Sequence, residues 1–469
     1  MIKFGTDGWR GLIARDFTFA NIRLAALATA KYIKKTRKKP KVVIGYDTRF
    51  LSKMFADETA AVLAWQGVIV NITDNISSTP QVSYHTKQKR CDLGIVITAS
   101  HNPAEYNGFK VKARFGGPAT PEQIALIEKE LKVVLNHPPK FTMKPIDTYI
   151  NLKKIRFFDA QESYLRNIKK KIDVNVINKA DFKILYDPMF GAGINTMKKL
   201  LPKVEEIHDY YNPSFGNIDH PEPIKECLGE AIAIMKKGNY DVCLATDGDA
   251  DRLGVIDKKG NYVDPHRVFM ILLKYLYEHK KKRGAVAKTV SLTSMVSQYC
   301  EKHSIPLHET PVGFKHIAKL MNEEKILIGG EESGGLGTIL HIPERDGIFN
   351  AMLLIEVMAK RNMSLKELSD ELDEEFGIHR FLRRDVRVTE QMKKEILAAC
   401  KKKPKKLGRF TVRKLDTKDG FKFYVDDGWL LIRASGTEPL LRFYAESNTI
   451  RKVNELIDEA LKIHKKKKK

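Results

Sequence analysis

Residues 242–252 decide the fold class of this chain, and they read VCLATDGDADR. The first four of these residues are apolar, and the chain turns polar at Thr246. An apolar run that ends so abruptly predicts a strand buried on both faces, as in a parallel or mixed sheet. The same pattern occurs at residues 42–46, 95–97, 184–186 and 326–328, with a polar loop after each run.

The segments between these runs have helical spacing. Thr18 can cap a helix on which Ile22, Ala25 and Tyr32 keep roughly helical spacing. Residues 349–358 are apolar on nearly all sides, which predicts a buried helix. Strand, loop and helix in alternation indicate an α/β fold. In such sheets ligands bind beyond the carboxyl ends of the strands, where the polar loops of this chain fall.

The composition is that of a globular protein. Of 469 residues, 43% are hydrophobic and 30% are charged, which excludes a disordered protein and suggests about two to four domains. No apolar run approaches the roughly 20 residues that cross a bilayer, and the first residues lack a signal-peptide core, so we expect no membrane association. The five cysteines lack paired spacing, which argues against disulfides or structural zinc and favours a cytoplasmic location.

The charge balance is strongly basic. The chain has 82 Lys and Arg against 58 Asp and Glu, a net charge of +24 that can mark nucleic-acid binding or an acidic small substrate. Much of the excess lies in solvated runs, including the lysine-rich tail at residues 465–469. Because no aromatic residues are interleaved with these runs, nucleic-acid bases have no platform to stack on, and we expect no nucleic-acid partner.

The loop that follows Thr246 carries three aspartates at alternate positions, Asp247, Asp249 and Asp251. Residues two apart in extended or loop backbone point the same way, so the three carboxylates can converge on one hard cation. Oxygen ligands with no His or Cys nearby suit Mg²⁺, whereas a solvated acidic turn would suffer mutual repulsion. A calcium-binding EF-hand is excluded because its sixth and twelfth positions would be Arg252 and Lys258.

Residues 98–103, TASHNP, follow another apolar run. The Ser100 hydroxyl beside His101 can act as a nucleophile or carry a phosphoryl group, although a serine at a strand end also serves as a helix cap or turn residue. The absence of a GxSxG sequence disfavours an α/β-hydrolase. Lys110 lies where the chain could return to the same site.

Two further loops suit a sugar and a phosphate. Residues 329–335 read GGEESGG, in which Glu331 and Ser333 can bond paired sugar hydroxyls while the glycines allow close approach. Residues 433–439 read RASGTEP, and with Arg442 they offer guanidinium, hydroxyl and backbone groups to a phosphate. Each loop could alternatively be an ordinary turn.

In this order the four loops resemble those of the α-D-phosphohexomutases, the superfamily of phosphoglucomutase, phosphomannomutase and phosphoglucosamine mutase. TASHNP resembles the phosphoserine loop, DGDADR the metal loop, GEESGG the sugar-binding loop and RASGTEP the phosphate-binding loop. The segments GTDGWRG at 5–11 and GYDTR at 45–49 are similar to family patterns too, so the resemblance covers all but the lysine tail. It implies three similar α/β domains with mixed sheets and a smaller α+β C-terminal domain around a central cleft.

The resemblance also implies a role for each loop. Ser100 would be the phosphoserine, and its phosphate would share one Mg²⁺ with Asp247, Asp249 and Asp251. The reacting phosphoryl group would be contacted by Arg10, His101, Lys110 and Arg252. The sugar would be contacted by Lys288, Thr310, Gly313, Glu331, Ser333 and His341. The second phosphate would be held by Arg433, Ser435, Gly436, Thr437 and Arg442.

The implied activity is the interconversion of α-D-hexose 1-phosphate and hexose 6-phosphate, with glucose and mannose as the sugars, through a hexose 1,6-bisphosphate that also acts as activator. GEESGG is closer to the glucose and mannose branches than to the glucosamine branch, which usually reads GEQSGH. Lys110 or His101 could be the general base, and a lysine base would need a lowered pKa. The alternatives are a phosphoglucosamine mutase, a metal-dependent sugar phosphatase and a non-enzymatic nucleic-acid-binding protein.

Ala250 departs from the pattern, because many relatives have glycine at this position. If the position needs a positive φ, alanine costs about 1 kcal/mol there. We place the phosphoserine-loop domain at residues 1–142, the metal-binding domain at 143–257, the sugar-binding domain at 258–375 and the phosphate-binding domain at 376–469. We expect a monomer or a homodimer.

Overall fold

The computed structural model describes residues 2–5, 7–434 and 440–463. The described residues fall into two compact units, Met1–Gly284 with Gly313–Lys366, and Ala285–Val312 with Glu367–Lys469. The fold class predicted from the sequence is confirmed, since three α/β domains with parallel and antiparallel pairing precede a smaller domain with an antiparallel sheet. Among the described helices, none is both long enough and apolar enough to cross a bilayer.

The first domain is a six-stranded mixed sheet covered by helices, in the order β1-β5-β4-β2-β3-β6. Its elements are β1 (Trp9–Leu12), α1 (Phe19–Thr36), β2 (Lys41–Tyr46), α2 (Ser52–Trp65), β3 (Ile69–Thr73), α3 (Thr79–Gln88), β4 (Leu93–Ile97), β5 (Tyr106–Ala113), α4 (Pro121–Asn136), α5 (Ile146–Asn151) and β6 (Ile155–Phe158). Strands β2, β3, β4 and β6 pair in parallel, while β5 runs antiparallel to β4 and β1.

Local sequence explains where these helices begin. The Thr18 side chain accepts a hydrogen bond from the Asn21 backbone at the start of α1, as its sequence position predicts. Helices α3 and α4 each begin with a complete capping box. Strand β6 pairs with β3, so this strand joins the first sheet although it lies beyond the predicted boundary at residue 142.

The second domain is a five-stranded mixed sheet in the order β11-β10-β9-β7-β8. Its elements are α6 (Gln161–Lys171), α7 (Val174–Ala180), β7 (Ile184–Asp187), α8 (Thr196–Leu200), β8 (Glu205–Glu206), a 3-10 turn (Lys225–Cys227), α9 (Gly229–Lys237), β9 (Val242–Thr246), β10 (Leu253–Asp257) and β11 (Tyr262–Val263). Strand β9 is buried along its whole length and runs parallel to β7, as the apolar run at 242–245 predicts.

The third domain contains α10 (Pro265–Lys274), a π-helical turn (Tyr275–His279), β12 (Ala285–Thr289), α11 (Met295–Lys302), β13 (Leu307–Thr310), α12 (Phe314–Glu323), β14 (Ile326–Gly330), β15 (Leu336–Thr338), α13 (Gly347–Arg361) and α14 (Leu365–Phe376). Within the second unit, β12 and β13 pair in parallel; within the first, β14 and β15 pair antiparallel. Helix α13 is buried continuously from Gly347 to Met358, which confirms the predicted buried helix.

The C-terminal domain has an antiparallel sheet in the order β16-β22-β21-β20-β19. Its elements are β16 (Arg380–Arg387), α15 (Glu390–Lys401), β17 (Lys406–Leu407), β18 (Phe410–Thr411), β19 (Lys414–Asp416), β20 (Phe421–Val425), β21 (Gly428–Ala434), β22 (Leu440–Ser447) and α16 (Ile450–Leu461). Helix α16 packs its buried residues Val453, Leu456 and Ile457 into the apolar core of this domain. Strands β20, β21 and β22 pair in succession, each antiparallel to the next.

Candidate active site

The site is built at strand ends of the first unit, with Ser100 three residues beyond β4. Ser100 has a positive φ of 55° and is 1% exposed. Its backbone N–H donates to Thr98 Oγ1 at 2.9 Å, which holds the sharp turn. Its hydroxyl donates to Asp247 Oδ2 at 2.8 Å. The structure therefore brings together a serine and a metal-loop aspartate that lie 147 residues apart in the chain.

Arg49 fixes the backbone of the Ser100 loop. It is 1% exposed, and its two terminal nitrogens donate to four backbone carbonyls, those of Ser100, Asn102, Pro103 and Tyr106. Its buried counter-ion is Asp47, 3.2 Å away, which also accepts from Thr98 Oγ1. Arg49 belongs to the GYDTR segment, but the sequence predicts no role for it, because its partners are backbone carbonyls.

The three loop aspartates converge as predicted. Each offers an oxygen within 4.8 Å of the others, and all three are fully buried. Asp247 Oδ1 accepts from the backbone N–H groups of Asp251 and Arg252, at 2.9 and 3.0 Å. The turn between them places Ala250 at φ 56°, so the positive φ anticipated for this position is present.

The donor set fits a hard divalent cation. Asp249 Oδ1 and Asp251 Oδ1 are buried and accept no hydrogen bond, although an unpaired buried carboxylate oxygen is costly. Burial raises the pKa of Asp247 well above its usual value, and the charges of Asp251 and Asp249 raise it further. A cation among these oxygens would relieve both costs, and oxygen-only donors suit Mg²⁺.

Lys110 on β5 is the cation that faces this cluster. Its ammonium lies 2.6 Å from Asp249 Oδ2 and 3.2 Å from Asp251 Oδ2. Burial acts to lower the pKa of Lys110, but Asp249, Asp251 and Asp7 outweigh burial and raise it. A lysine base requires a lowered pKa, whereas these contacts raise the pKa of Lys110.

Two further charged residues belong to this cluster, and neither was predicted from the sequence. Asp7 accepts from Lys110 at 3.0 Å and from Arg345 at 2.6 Å. Arg345 also donates to Asp251 Oδ2 at 2.6 Å and to Glu331 Oε2 at 3.2 Å. Asp7 lies inside the GTDGWRG segment, whose similarity to family patterns could have identified it as a site residue. Arg345 lies in no quoted segment, and only the fold reveals its place.

The sugar-loop candidate lies beside the metal loop. The loop after β14 turns back through hydrogen bonds between Glu331 and residues 334 and 335, and the Leu253 backbone N–H donates to the Gly334 carbonyl at 3.2 Å. Gly334 has a φ of 86°, and a Cβ there would meet the Leu253 carbonyl at 2.6 Å, so the position requires glycine. Glu331 is buried, whereas Ser333 is partly exposed.

The other predicted phosphoryl contacts surround Ser100. His101 Nδ1 lies 3.5 Å from Ser100 Oγ. Arg10 on β1 donates to the Asn102 side chain of the same loop. Arg252 donates to Glu222 at 2.7 Å, and its Nε lies 3.9 Å from Asp247 Oδ2. All of these groups belong to the first unit.

The remaining residues predicted to contact the sugar or the second phosphate are divided between the two units. Gly313 begins α12 in the first unit with a φ of 127°. In the second unit, Lys288 is buried 3.4 Å from Glu309, and Thr310 donates to the Pro311 carbonyl at 3.1 Å. Arg433 and Arg442 are register partners on β21 and β22, where Arg433 Nε lies 3.0 Å from Asp419 Oδ2 and Arg442 Nε lies 3.5 Å from Asp385 Oδ2. Ser435, Gly436 and Thr437 lie outside the described residues.

His341 is another residue predicted to contact the sugar. Its Nε2 lies 3.0 Å from Asp346 Oδ2, its Nδ1 lies 3.1 Å from the Asn167 amide, and its ring stacks on Phe349. The side chain is 2% exposed. These contacts hold the His341 ring beside the N-terminus of α13, which Asp346 caps, and its contact with the sugar stays a prediction.

Comparison with known proteins agrees with this geometry. The chain matches four family models, described as phosphoglucomutase/phosphomannomutase alpha/beta/alpha domains I, II and III and the C-terminal domain, over residues 1–136, 162–260, 264–376 and 385–463. This chain belongs to the α-D-phosphohexomutase superfamily. As a phosphohexomutase it is an isomerase, an intramolecular phosphotransferase.

Relatives whose names give different sugars have the same percentage identity to this phosphohexomutase. A phosphoglucomutase/phosphomannomutase of Thermococcus kodakarensis is 30% identical over 465 residues, 98% of each chain. A phosphoglucosamine/phosphogalactosamine mutase of Sulfurisphaera tokodaii is 30% identical over 468 residues, 98% of each chain. The crystal structure of a Thermus thermophilus protein assigned as a phosphomannomutase has a TM-score of 0.85 and 31% identity, covering 99% of both chains. Overall identity therefore does not identify the sugar.

Proposed function

We propose that this phosphohexomutase interconverts α-D-hexose 1-phosphate and hexose 6-phosphate, with glucose or mannose as the sugar, through a phosphorylated Ser100 and a hexose 1,6-bisphosphate. The observation that carries the proposal is the 2.8 Å contact between Ser100 Oγ and Asp247 Oδ2 in a buried cluster of three aspartates. A serine placed against a cation site of this kind suits phosphoryl transfer, which relies on positioning and on charge stabilisation.

Asp247, Asp249 and Asp251 would hold Mg²⁺ together with the phosphate on Ser100. When bound, Mg²⁺ would withdraw negative charge from the phosphoryl group and so stabilise the transition state. Lys110 and Arg252 would contribute positive charge from either side of the same loop. Because Lys110 is already a buried cation, its charge is in place before the substrate binds.

In the first half-reaction the bond between phosphorus and Ser100 Oγ breaks while a bond forms from phosphorus to the free hydroxyl oxygen of the substrate. The hydroxyl proton passes to a base, and His101 is favoured over Lys110 because its ring nitrogen lies 3.5 Å from Ser100 Oγ and the pKa of Lys110 is raised. The bisphosphate then turns over and returns its other phosphoryl group to Ser100, with the base giving its proton to the departing oxygen.

Glu331 and Ser333 would bind the sugar hydroxyls, and Arg433 and Arg442 would bind the phosphate that is not transferred. The register of the two arginines supports this role, since side chains of directly opposite residues extend from the same face of the sheet and guanidinium groups suit a phosphate. Hexose 1,6-bisphosphate would act as activator by phosphorylating enzyme that has lost its phosphoryl group.

Phosphorus NMR on the purified protein tests the proposal. With Mg²⁺, a hexose bisphosphate primer and glucose 1-phosphate or mannose 1-phosphate, the hexose 6-phosphate signal should grow while inorganic phosphate stays at its blank level. Ser100→Ala should abolish the conversion, whereas Ser163→Ala, a change at a serine 3.4 Å from His85 and outside the cluster, should leave it intact.

Two results would overturn the proposal. Stoichiometric release of inorganic phosphate would identify a metal-dependent sugar phosphatase instead. Conversion by Ser100→Ala at the wild-type rate would exclude a phosphoserine mechanism at this residue.

A further inference from the structure

Arg345 links the loop proposed to bind the sugar to the loop proposed to bind the metal. Its Nη1 donates to Glu331 Oε2 at 3.2 Å, and its Nη2 donates to Asp251 Oδ2 at 2.6 Å. The same Nη2 donates to Asp7 Oδ2 at 2.6 Å. The side chain is 7% exposed, so its charge acts where water screens little.

Gly335 makes the space that the arginine occupies. A Cβ at this position would lie 2.4 Å from Arg345 Cδ, which is too short for two carbon atoms, and 3.2 Å from its Cγ, which is a tight contact. It would also lie 3.4 Å from Glu331 Oε2, at ordinary contact distance. The glycine is therefore needed for the Arg345 side chain to reach Glu331, and the two residues form one packing unit.

The pairing changes what Glu331 can bind. A carboxylate accepts a hydrogen bond from a neutral hydroxyl whether or not its charge is already balanced. A ligand ammonium gains far more from a carboxylate without a counter-ion, and in a buried site it is repelled by a guanidinium already in place. Burial raises the pKa of Glu331, whereas the positive charge of Arg345 acts to lower it and so favours the carboxylate.

We propose that Arg345 is a specificity-determining residue that makes the site select neutral hexose phosphates over hexosamine phosphates whose amine is protonated. This inference rests on the proposed function, in particular on the placement of the sugar against Glu331. The charge of Arg345 would distinguish sugars that overall sequence identity does not distinguish. A relative named for glucose and mannose and a relative named for amino sugars are both 30% identical to this chain.

The test is the ratio of kcat/KM for glucosamine 1-phosphate to kcat/KM for glucose 1-phosphate, measured on each variant below pH 7. A ratio within one enzyme cancels losses of folded protein or of metal affinity that affect both substrates. Arg345→Gln should raise the ratio by about tenfold or more, because it removes the charge that repels the amine. Glu331→Gln should lower the ratio, because it leaves the guanidinium without its partner in the sugar loop.

Lys112→Gln is the matched control. Lys112 is another fully buried cation of the same cluster, 2.9 Å from Glu344 and 3.5 Å from Asp7, and it pairs with neither Glu331 nor Asp251 in the structure. Its removal should lower both activities together and leave the ratio within about twofold of wild type.

The outcomes separate this inference from the proposed function. If the wild-type protein converts no hexose 1-phosphate, the proposed function itself is wrong. Wild-type protein that converts glucose 1-phosphate but whose ratio is unmoved by Arg345→Gln overturns the inference alone. A wild-type preference for glucosamine 1-phosphate, or an equal rise of the ratio in Lys112→Gln, also overturns it.

Discussion

Replacing Arg49 with lysine should loosen the Ser100 loop while keeping the charge opposite Asp47. The guanidinium serves four carbonyls at 2.6–3.0 Å, and a lysine ammonium, which has no planar fork, can reach about two of them. Hydrogen bonds to charged groups contribute roughly 1.5–3 kcal/mol each, so the loss of two lowers the free energy of unfolding of the first domain by about 3 kcal/mol or more.

The same substitution should lower kcat more than it raises KM. Ser100 Oγ would lose its fixed position relative to Asp247, and a misplacement of about 1 Å can cost on the order of a hundredfold in rate. Steady-state kinetics and denaturant unfolding followed by fluorescence measure both effects. Arg15→Lys is the control, because Arg15 forms only an exposed pair with Asp16 and should change stability by less than about 0.5 kcal/mol. Wild-type kcat together with wild-type stability in Arg49→Lys would refute the reasoning.

Three further changes probe the backbone and the charges. Ala250→Gly should change the free energy of unfolding by less than about 1 kcal/mol, because relief at φ 56° offsets the lost methyl group and the added chain entropy. Gly334→Ala should lower it by at least about 1 kcal/mol and reduce turnover, because its Cβ meets the Leu253 carbonyl. Burial would lower the pKa of His208, but Asp187 and Glu230 outweigh burial and raise it. Protonated His208 therefore stabilises the fold fully below pH 6.5, and this contribution is lost as pH rises through the raised pKa. His208→Gln should remove this pH-dependent contribution.

Denaturant unfolding compares each of the two backbone substitutions with a matched control variant. Ala245→Gly on the buried strand β9 has no such relief and should cost more than Ala250→Gly. Gly229→Ala has open space around the added Cβ and should be neutral or stabilising. Equal costs within either pair would contradict the backbone argument, and an unchanged pH profile in His208→Gln would contradict the charge argument.

The sequence predicts the parts of this fold that depend on local pattern. Apolar runs such as 242–245 and 326–328 identify buried strands because both faces of a sheet covered by helices are apolar. The three loop aspartates could also be predicted from local pattern. Side chains at alternate positions after a strand end point the same way, whatever the rest of the fold does.

What the sequence could not predict depends on contacts between distant segments. Arg345 reaches Asp7 across 338 positions, and nothing in the neighbourhood of either residue encodes that meeting. The Asn167 amide lies 3.1 Å from His341 Nδ1 across 174 positions, and the sequence near either residue does not encode this contact. The direction of the Lys110 pKa shift likewise follows from which carboxylates fold against it.

The central claim is that Ser100 carries the phosphoryl group in a cycle with the hexose. The most direct measurement treats the protein with radiolabelled glucose 1,6-bisphosphate and Mg²⁺, removes the sugar, maps the labelled peptide by mass spectrometry, and then adds unlabelled glucose 6-phosphate. The account predicts label on Ser100 alone and its rapid transfer to the sugar as bisphosphate. Label on another residue, or label that leaves only as inorganic phosphate, would contradict it.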